Sequence, residues 1–127
     1  MSVTKSLSFL FILLNLATLV SCTSETKTID DNLLYGRWEI KSAQRDGQPT
    51  ETLTSTFFEF DKAGKMTTNF NLEGNEISRN FEIEGMKIIQ KGEPEVNYSI
   101  EILNADKLVM LTQLMDYQFT LNLEKSK

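Results

Sequence analysis

The sequence predicts an all-β fold, a small eight-stranded antiparallel up-and-down barrel that follows an apolar N-terminal segment. Three observations predict it. Apolar and polar residues alternate with a period of two from Gly36 onwards, turn residues separate the alternating runs at short intervals, and no later segment keeps a helical period. Short strands joined as hairpins expose their edges, and closure into a barrel removes those edges.

The N-terminal segment has the parts of a secretory signal. A basic Lys5 precedes an apolar core of 14 residues at positions 7–20, and Cys22 follows closely. A transmembrane helix needs about 20 apolar residues, so this core is too short to span a bilayer. The tetrapeptide Leu19-Val20-Ser21-Cys22 resembles the lipobox of bacterial lipoproteins, whose cysteine is acylated, with palmitate for example, and becomes the mature N-terminus. We therefore expect a signal peptide at 1–21 and lipidation of Cys22.

Cys22 is the only cysteine of the chain, which excludes an intrachain disulfide. The alternative role is a free thiol. An unpaired thiol in an exported protein is open to oxidation, whereas acylation consumes it. The position directly behind the apolar core fits acylation.

The chain from Cys22 to Lys127 has 106 residues, enough for one domain, and its net charge is −6 once Lys5 is removed with the signal. Such an acidic domain argues against nucleic-acid binding, which needs a basic surface, and anionic lipids repel it. Membrane attachment is therefore expected through the lipid on Cys22, and stable attachment takes two or more acyl chains. We expect a cell-envelope lipoprotein, in the outer membrane of a Gram-negative bacterium.

Residues 22–33 are expected to form a flexible tether, because positions 23–28 are polar and have no apolar periodicity. The polar residues at 30–32 could cap a single helical turn at 33–35, and a disordered continuation of the tether is the alternative. The barrel domain is expected at 34–127.

Eight strands are predicted in order, each ended by turn residues. The first follows Gly36 and ends before Asp46-Gly47-Gln48-Pro49, and Asp61-Lys62-Ala63-Gly64 makes a tight turn after the second. The seventh is nearly all apolar, as in strands buried on both faces. The predicted strands are 37–41, 58–61, 66–72, 77–84, 86–89, 96–102, 108–114 and 117–124.

The tripeptide Gly36-Arg37-Trp38 begins the first strand and resembles the Gly-x-Trp signature of lipocalins. The run from Leu34 to Lys125 is similar to the small lipocalin-like domains of bacterial lipoproteins. This resemblance implies that Gly36 and Trp38 form the barrel-closing signature, with the tryptophan at one end of the barrel. It also implies a late basic residue packed on the indole, for which this chain offers Lys125. The chain is shorter than a full lipocalin, so we expect a smaller cavity or none.

On each predicted strand, alternate residues have side chains that would point into the barrel, and we call this position the inward parity. The residues with inward parity are mostly bulky. An eight-stranded barrel is just wide enough to be filled by side chains or to hold one small ligand, and both outcomes stay open here. The inward set comprises Trp38, Ile40, Phe58, Phe60, Met66, Phe70, Leu72, Ile77, Phe81, Ile83, Tyr98, Ile100, Phe119 and Leu121.

Three polar residues share the inward parity and are the candidate ligand-binding residues: Arg79, Tyr98 and Thr68. A buried arginine needs a partner, and Arg79 could bind the carboxylate of an acidic ligand through two hydrogen bonds. The alternatives are an arginine that reaches outward from a strand end or pairs with an internal carboxylate. Tyr98 and Thr68 could add hydrogen bonds in the same pocket.

Catalytic and metal chemistry has little support in this sequence. The chain has no histidine, which excludes histidine-dependent triads and imidazole metal sites. Pairs of carboxylates two residues apart could in principle act together as acid and base. Here their side chains are predicted to point out of the barrel or to lie in a turn, where they are solvated. We expect no catalytic residue, no metal and no cofactor. These pairs are Glu59 with Asp61, Glu82 with Glu84, and Glu93 with Glu95.

Two functions follow from these observations. The first is a lipid-anchored binding protein for a small hydrophobic or amphipathic molecule held in the barrel. The alternative is a non-catalytic protein–protein interaction module with a filled core. Its contact points would be Phe57, which alternation turns outward, the apolar run 108–114, and Met115.

Overall fold

The computed structural model describes residues 27–127, so the signal peptide and Cys22 lie outside the described residues. One helical turn, α1 (Asp31–Leu34), precedes nine strands. Asp30 caps it, its side chain accepting a hydrogen bond from the Asn32 amide at 3.0 Å, as the capping pattern predicts. The strands are β1 (Gly36–Arg45), β2 (Gln48–Thr50), β3 (Phe57–Phe60), β4 (Lys65–Thr68), β5 (Ile77–Glu84), β6 (Lys87–Gln90), β7 (Val96–Leu103), β8 (Lys107–Leu114) and β9 (Tyr117–Lys125).

The predicted eight-stranded antiparallel barrel is confirmed. Strands β1 and β3 to β9 pair in chain order, and β9 pairs back with β1, which closes the sheet. The short strand β2 is the ninth, and it pairs only with the last three residues of β1. Strand β2 was not predicted, because Gln48-Pro49-Thr50 has turn residues and no apolar alternation. Strand β1 extends to Arg45, directly before the predicted break at Asp46.

The up-and-down order separates the connections between two ends of the barrel. We call one the plugged end; it holds α1, the C-terminus and the connections 61–64, 85–86 and 104–106. We call the other the mouth; it holds the connections 46–56, 69–76, 91–95 and 115–116, the first of which includes β2.

Trp38 and Lys125 close the plugged end. The Trp38 side chain is fully buried, and its Nε1 donates a hydrogen bond to the Leu34 carbonyl at 2.8 Å. Lys125 Nζ lies 4.5 Å from the centroid of the Trp38 indole and donates to the carbonyls of Leu33 and Tyr35. A Cβ on Gly36 would lie 2.8 Å from Lys125 Cε, and Gly36 has a φ of +120°, so this position requires glycine.

The interior is filled by aromatic rings that touch across the barrel. Phe58 on β3 and Tyr98 on β7 belong to strands that are not neighbours, yet their ring centroids are 5.4 Å apart at an edge-to-face angle. Phe70 contacts Phe58, Tyr98 and Phe119 at 5.9, 6.4 and 5.4 Å. Of the two interiors left open by the sequence, the structure has the filled one.

Two expectations about orientation are wrong. Leu72 was expected inside on a strand reaching position 72, but β4 ends at Thr68 and Leu72 is 62% exposed. The cause is Asn69 and Asn71, whose side chains bond to backbone groups and turn the chain. Phe57 was expected as an exposed contact point, but it is buried, with the Arg37 guanidinium 4.0 Å from its ring centroid.

Candidate functional site

A cavity of about 190 Å³ opens at the mouth. Its lining comes from the connections 69–76 and 91–95 and from strands β5 to β8. Apolar side chains from Phe70, Val96 and Leu114 form one part of the lining. Charged and polar side chains of Glu73, Arg79, Gln90 and Glu93 form another.

Arg79 reaches this cavity as its inward parity on β5 predicts, and it is half-buried. Its Nη1 donates to the Ser78 carbonyl at 3.0 Å, and its Nε would lie 2.9 Å from a Cβ on Gly92. Gly92 has a φ of +121°, so glycine allows the loop to pass close to the arginine. Within residues 27–127, no carboxylate oxygen lies within 4.0 Å of Arg79. The guanidinium therefore keeps hydrogen-bond donors for an anionic group.

Gln90 supplies a second polar group to the cavity, with support from Tyr98. The Tyr98 hydroxyl donates to Gln90 Oε1 at 2.8 Å, and both side chains are buried. Burial raises the pKa of Tyr98, so its hydroxyl stays protonated and remains the donor. Tyr98 thus fixes the amide of Gln90, which is one of the residues that line the cavity.

The structure brings one of the three predicted ligand residues to the cavity. Arg79 lines it, whereas Tyr98 stands behind Gln90. Thr68 is fully buried, and its hydroxyl donates to the Phe57 carbonyl at 2.7 Å and accepts from the Phe70 amide at 3.0 Å. Gln90 was missed, although it has the same parity as buried Ile88 on β6 and could have been found by that signal.

A wider, more open cleft of about 480 Å³ adjoins the cavity and shares Phe70, Leu72 and Leu114 with it. Large apolar side chains at its rim are exposed: Leu72 by 62%, Met115 by 64% and Tyr117 by 42%. Met115 also has a φ of +57°, which a non-glycine residue adopts at a cost. The mouth therefore presents apolar surface that the fold itself does not bury.

The part of the chain seen in the structure contains no group of three His, Cys, Asp or Glu side chains arranged to hold a metal ion. Among the same residues, 27–127, the structure has no helix with the length and apolarity needed to cross a bilayer. The candidate site consists of Arg79, Gln90 and the apolar side chains that line the cavity with them.

Solved structures that are similar to this chain include two proteins from Bacteroides. One is a lipocalin-like protein from Bacteroides uniformis, with 17% identity, a TM-score of 0.55, and coverage of 74% of this chain and 99% of that one. The other is an uncharacterised protein from Bacteroides eggerthii, with 16% identity, a TM-score of 0.52, and coverage of 72% and 98%. No family model and no curated protein matches the sequence. At these identities the likeness shows the fold alone, and that fold is a lipocalin-like barrel.

Proposed function

We propose that this protein is a lipid-anchored envelope protein that binds a small amphipathic molecule with one anionic group at the mouth of a filled barrel. One observation carries the proposal: half-buried Arg79 lines a small cavity without a carboxylate partner among residues 27–127. A guanidinium without a carboxylate partner has N–H donors that can bind the carboxylate or phosphate of a ligand.

The rest of the lining defines the ligand further. Phe70, Val96 and Leu114 favour an apolar group, and at about 190 Å³ the cavity is below the usual 300 to 1,000 Å³ of ligand pockets. A short apolar group therefore fits better than a long chain. The carboxylates of Glu73 and Glu93 in the same lining would repel a second negative charge.

Attachment to the membrane rests on the sequence around Cys22. The apolar core at 7–20 and the tetrapeptide ending in Cys22 support acylation there, and the net negative charge leaves the lipid as the main means of attachment. Cys22→Ala is expected to abolish labelling by radioactive palmitate in cells. Labelling that persists in the variant would contradict this part of the proposal.

The ligand site is tested with hexanoate, a small amphipathic carboxylate, in an NMR titration of the protein. We expect shifts in the Gln90 side-chain amide and the Gly92 backbone amide. Arg79→Gln should weaken binding at least tenfold, because a hydrogen bond to a charged group contributes about 1.5–3 kcal/mol. Arg45→Gln is the matched control, since Arg45 lies at the mouth but outside the cavity lining.

Hexanol, which lacks the anionic group, should bind no more tightly than hexanoate binds to Arg79→Gln. Equal hexanoate affinity in the wild type and Arg79→Gln would contradict the proposal. So would shifts confined to residues of the barrel interior.

A protein–protein interaction module is the second candidate, and the exposed apolar rim of Leu72, Met115 and Tyr117 favours it. The rim replaces Phe57 as the expected contact point, because Phe57 is covered by Arg37. A photo-crosslinking side chain placed at Met115 should then trap one partner in intact cells, and Tyr117→Ser should abolish that product. The same side chain placed at Lys62, at the plugged end, is the control and should trap none.

A further inference from the structure

We infer that the plugged end of the barrel faces the bilayer, and that the mouth opens into the aqueous phase on the side away from it. This inference rests on the lipid at Cys22, which is part of the proposed function. It identifies the plugged end as the surface that lies against the lipid headgroups. It also means that the ligand reaches the mouth from solution and not from the anchoring bilayer.

The chain joins the fold at the plugged end. The Ile29 side chain is buried in the core, and the Ile29 amide donates to the Gly85 carbonyl at 3.1 Å. The Lys27 carbonyl oxygen lies 3.4 Å from the position of a Cβ on Gly85. Gly85 belongs to the connection between β5 and β6, which lies at the plugged end. The lipid on Cys22 is therefore connected to this end of the barrel.

The chain between Cys22 and Lys27 is too short for the opposite orientation. Five residue steps span at most about 18 Å when fully extended. Strand β9 has nine residues, a length of about 30 Å, and strands in barrels are inclined by about 35–45°. The barrel is then about 21–25 Å high. With the mouth against the bilayer, Lys27 would lie farther from the membrane than the chain can reach.

The charges at the two ends favour the same orientation. The four connections at the mouth contain seven Asp and Glu residues and one basic residue, Lys91. At the plugged end, the connections with their flanking strand residues, α1 with its cap and residues 124–127 contain six lysines and six acidic side chains. This end is therefore nearly neutral where the mouth is acidic, and an anionic bilayer repels the mouth more strongly within about one Debye length.

The test uses the full chain, acylated in cells and reconstituted into vesicles of phosphatidylcholine and phosphatidylglycerol. A fluorophore is attached through Asp106→Cys at the plugged end or Asp116→Cys at the mouth. The two sites are matched, because each is an exposed aspartate in a short connection between strands. Acylated Cys22 has no free thiol to react. A lipid with a nitroxide on its headgroup then quenches whichever fluorophore lies near the bilayer.

We expect quenching at position 106 to be at least three times that at position 116, and the ratio to fall in vesicles of phosphatidylcholine alone. Equal quenching, or stronger quenching at 116, would overturn the inference, as would failure of the acylated chain to bind vesicles. An unchanged ratio in neutral vesicles would overturn the contribution of charge. Loss of hexanoate binding with the quenching ratio intact would contradict the site at the mouth and leave the orientation standing.

Discussion

At the residue scale, Tyr98 links the filled interior to the candidate site. Its ring packs against Phe58, and its hydroxyl fixes Gln90, which in turn lines the cavity. Burial raises the pKa of Tyr98, so the folded state keeps a proton that the unfolded state loses above pH 10. The corresponding stability is full below pH 10 and is lost as the pH rises further.

Tyr98→Phe tests this argument. The variant removes the titrating hydroxyl, so the stability difference in favour of the wild type should shrink by about 1.4 kcal/mol between pH 8 and pH 11. Urea unfolding at a series of pH values measures the difference. Tyr117→Phe, at an exposed position, is the matched control. A difference between wild type and Tyr98→Phe that is constant over this range would show that solvent reaches the Tyr98 hydroxyl in the folded state.

The candidate site residues show what strand alternation can predict and what it cannot. Strand alternation is enough to place Arg79, Tyr98 and Thr68 inside, because neighbouring side chains on a strand point to opposite faces. It does not show whether a polar group has a partner. The partners of Thr68 and Tyr98 come from strands β3 and β6, and such pairing is a property of the folded chain. Of the three residues, Arg79 lines the cavity, and ligand binding by it stays a prediction.

At the element scale, the helical turn α1 acts as the lid of the plugged end. Leu34 is fully buried, and its carbonyl accepts from Trp38 Nε1, whereas the Leu33 carbonyl accepts from Lys125 Nζ at 3.3 Å. The turn is too short to be stable alone, so its position depends on these tertiary contacts. The plug and the last strand therefore stabilise each other.

Leu33 and Leu34 are each replaced with alanine, so that the same change is made at a half-buried and at a fully buried position of this turn. Leu34→Ala deletes a fully buried side chain and should lower the free energy of unfolding by about 2–5 kcal/mol. Leu33→Ala makes the same deletion at a half-buried position, and we expect a loss of at most about 1 kcal/mol. Denaturant unfolding compares the two, and similar losses would mean that Leu34 does not anchor α1 in the core.

Strands were predicted correctly where the alternation of apolar and polar residues alone determines them. Strand β7 alternates strictly and has the expected span to within one residue. The end of β4 was not predictable, because the side chain of Asn69 bonds to Phe57 and Ser55 across the loop. Strand β2 depends on pairing with β1 over three residues.

At the scale of the whole molecule, the barrel shares its fold with lipocalin-like proteins but holds aromatic rings where a ligand cavity would lie. Phe58, Phe70 and Tyr98 fill the centre, and the remaining space opens at the mouth. Whether the centre is filled depends on the total volume of the inward side chains relative to the space inside the barrel. Strand alternation does not predict this, since the same inward residues fit a filled or a partly hollow barrel. With the centre filled, the proposed ligand would bind at the mouth.

The filled centre predicts that a long acyl chain does not enter the barrel. Trp38 is the only tryptophan in the sequence and is fully buried, so bromine atoms on an acyl chain inside the barrel would quench its fluorescence. We expect brominated stearate, below its micellar concentration, to leave the Trp38 emission of the wild type unchanged. Phe58→Ala should lose about 3–5 kcal/mol of stability and gain quenching, because the deleted ring leaves a cavity lined by apolar groups. Quenching in the wild type would instead show that the rings separate and that the interior, not the mouth, receives the ligand.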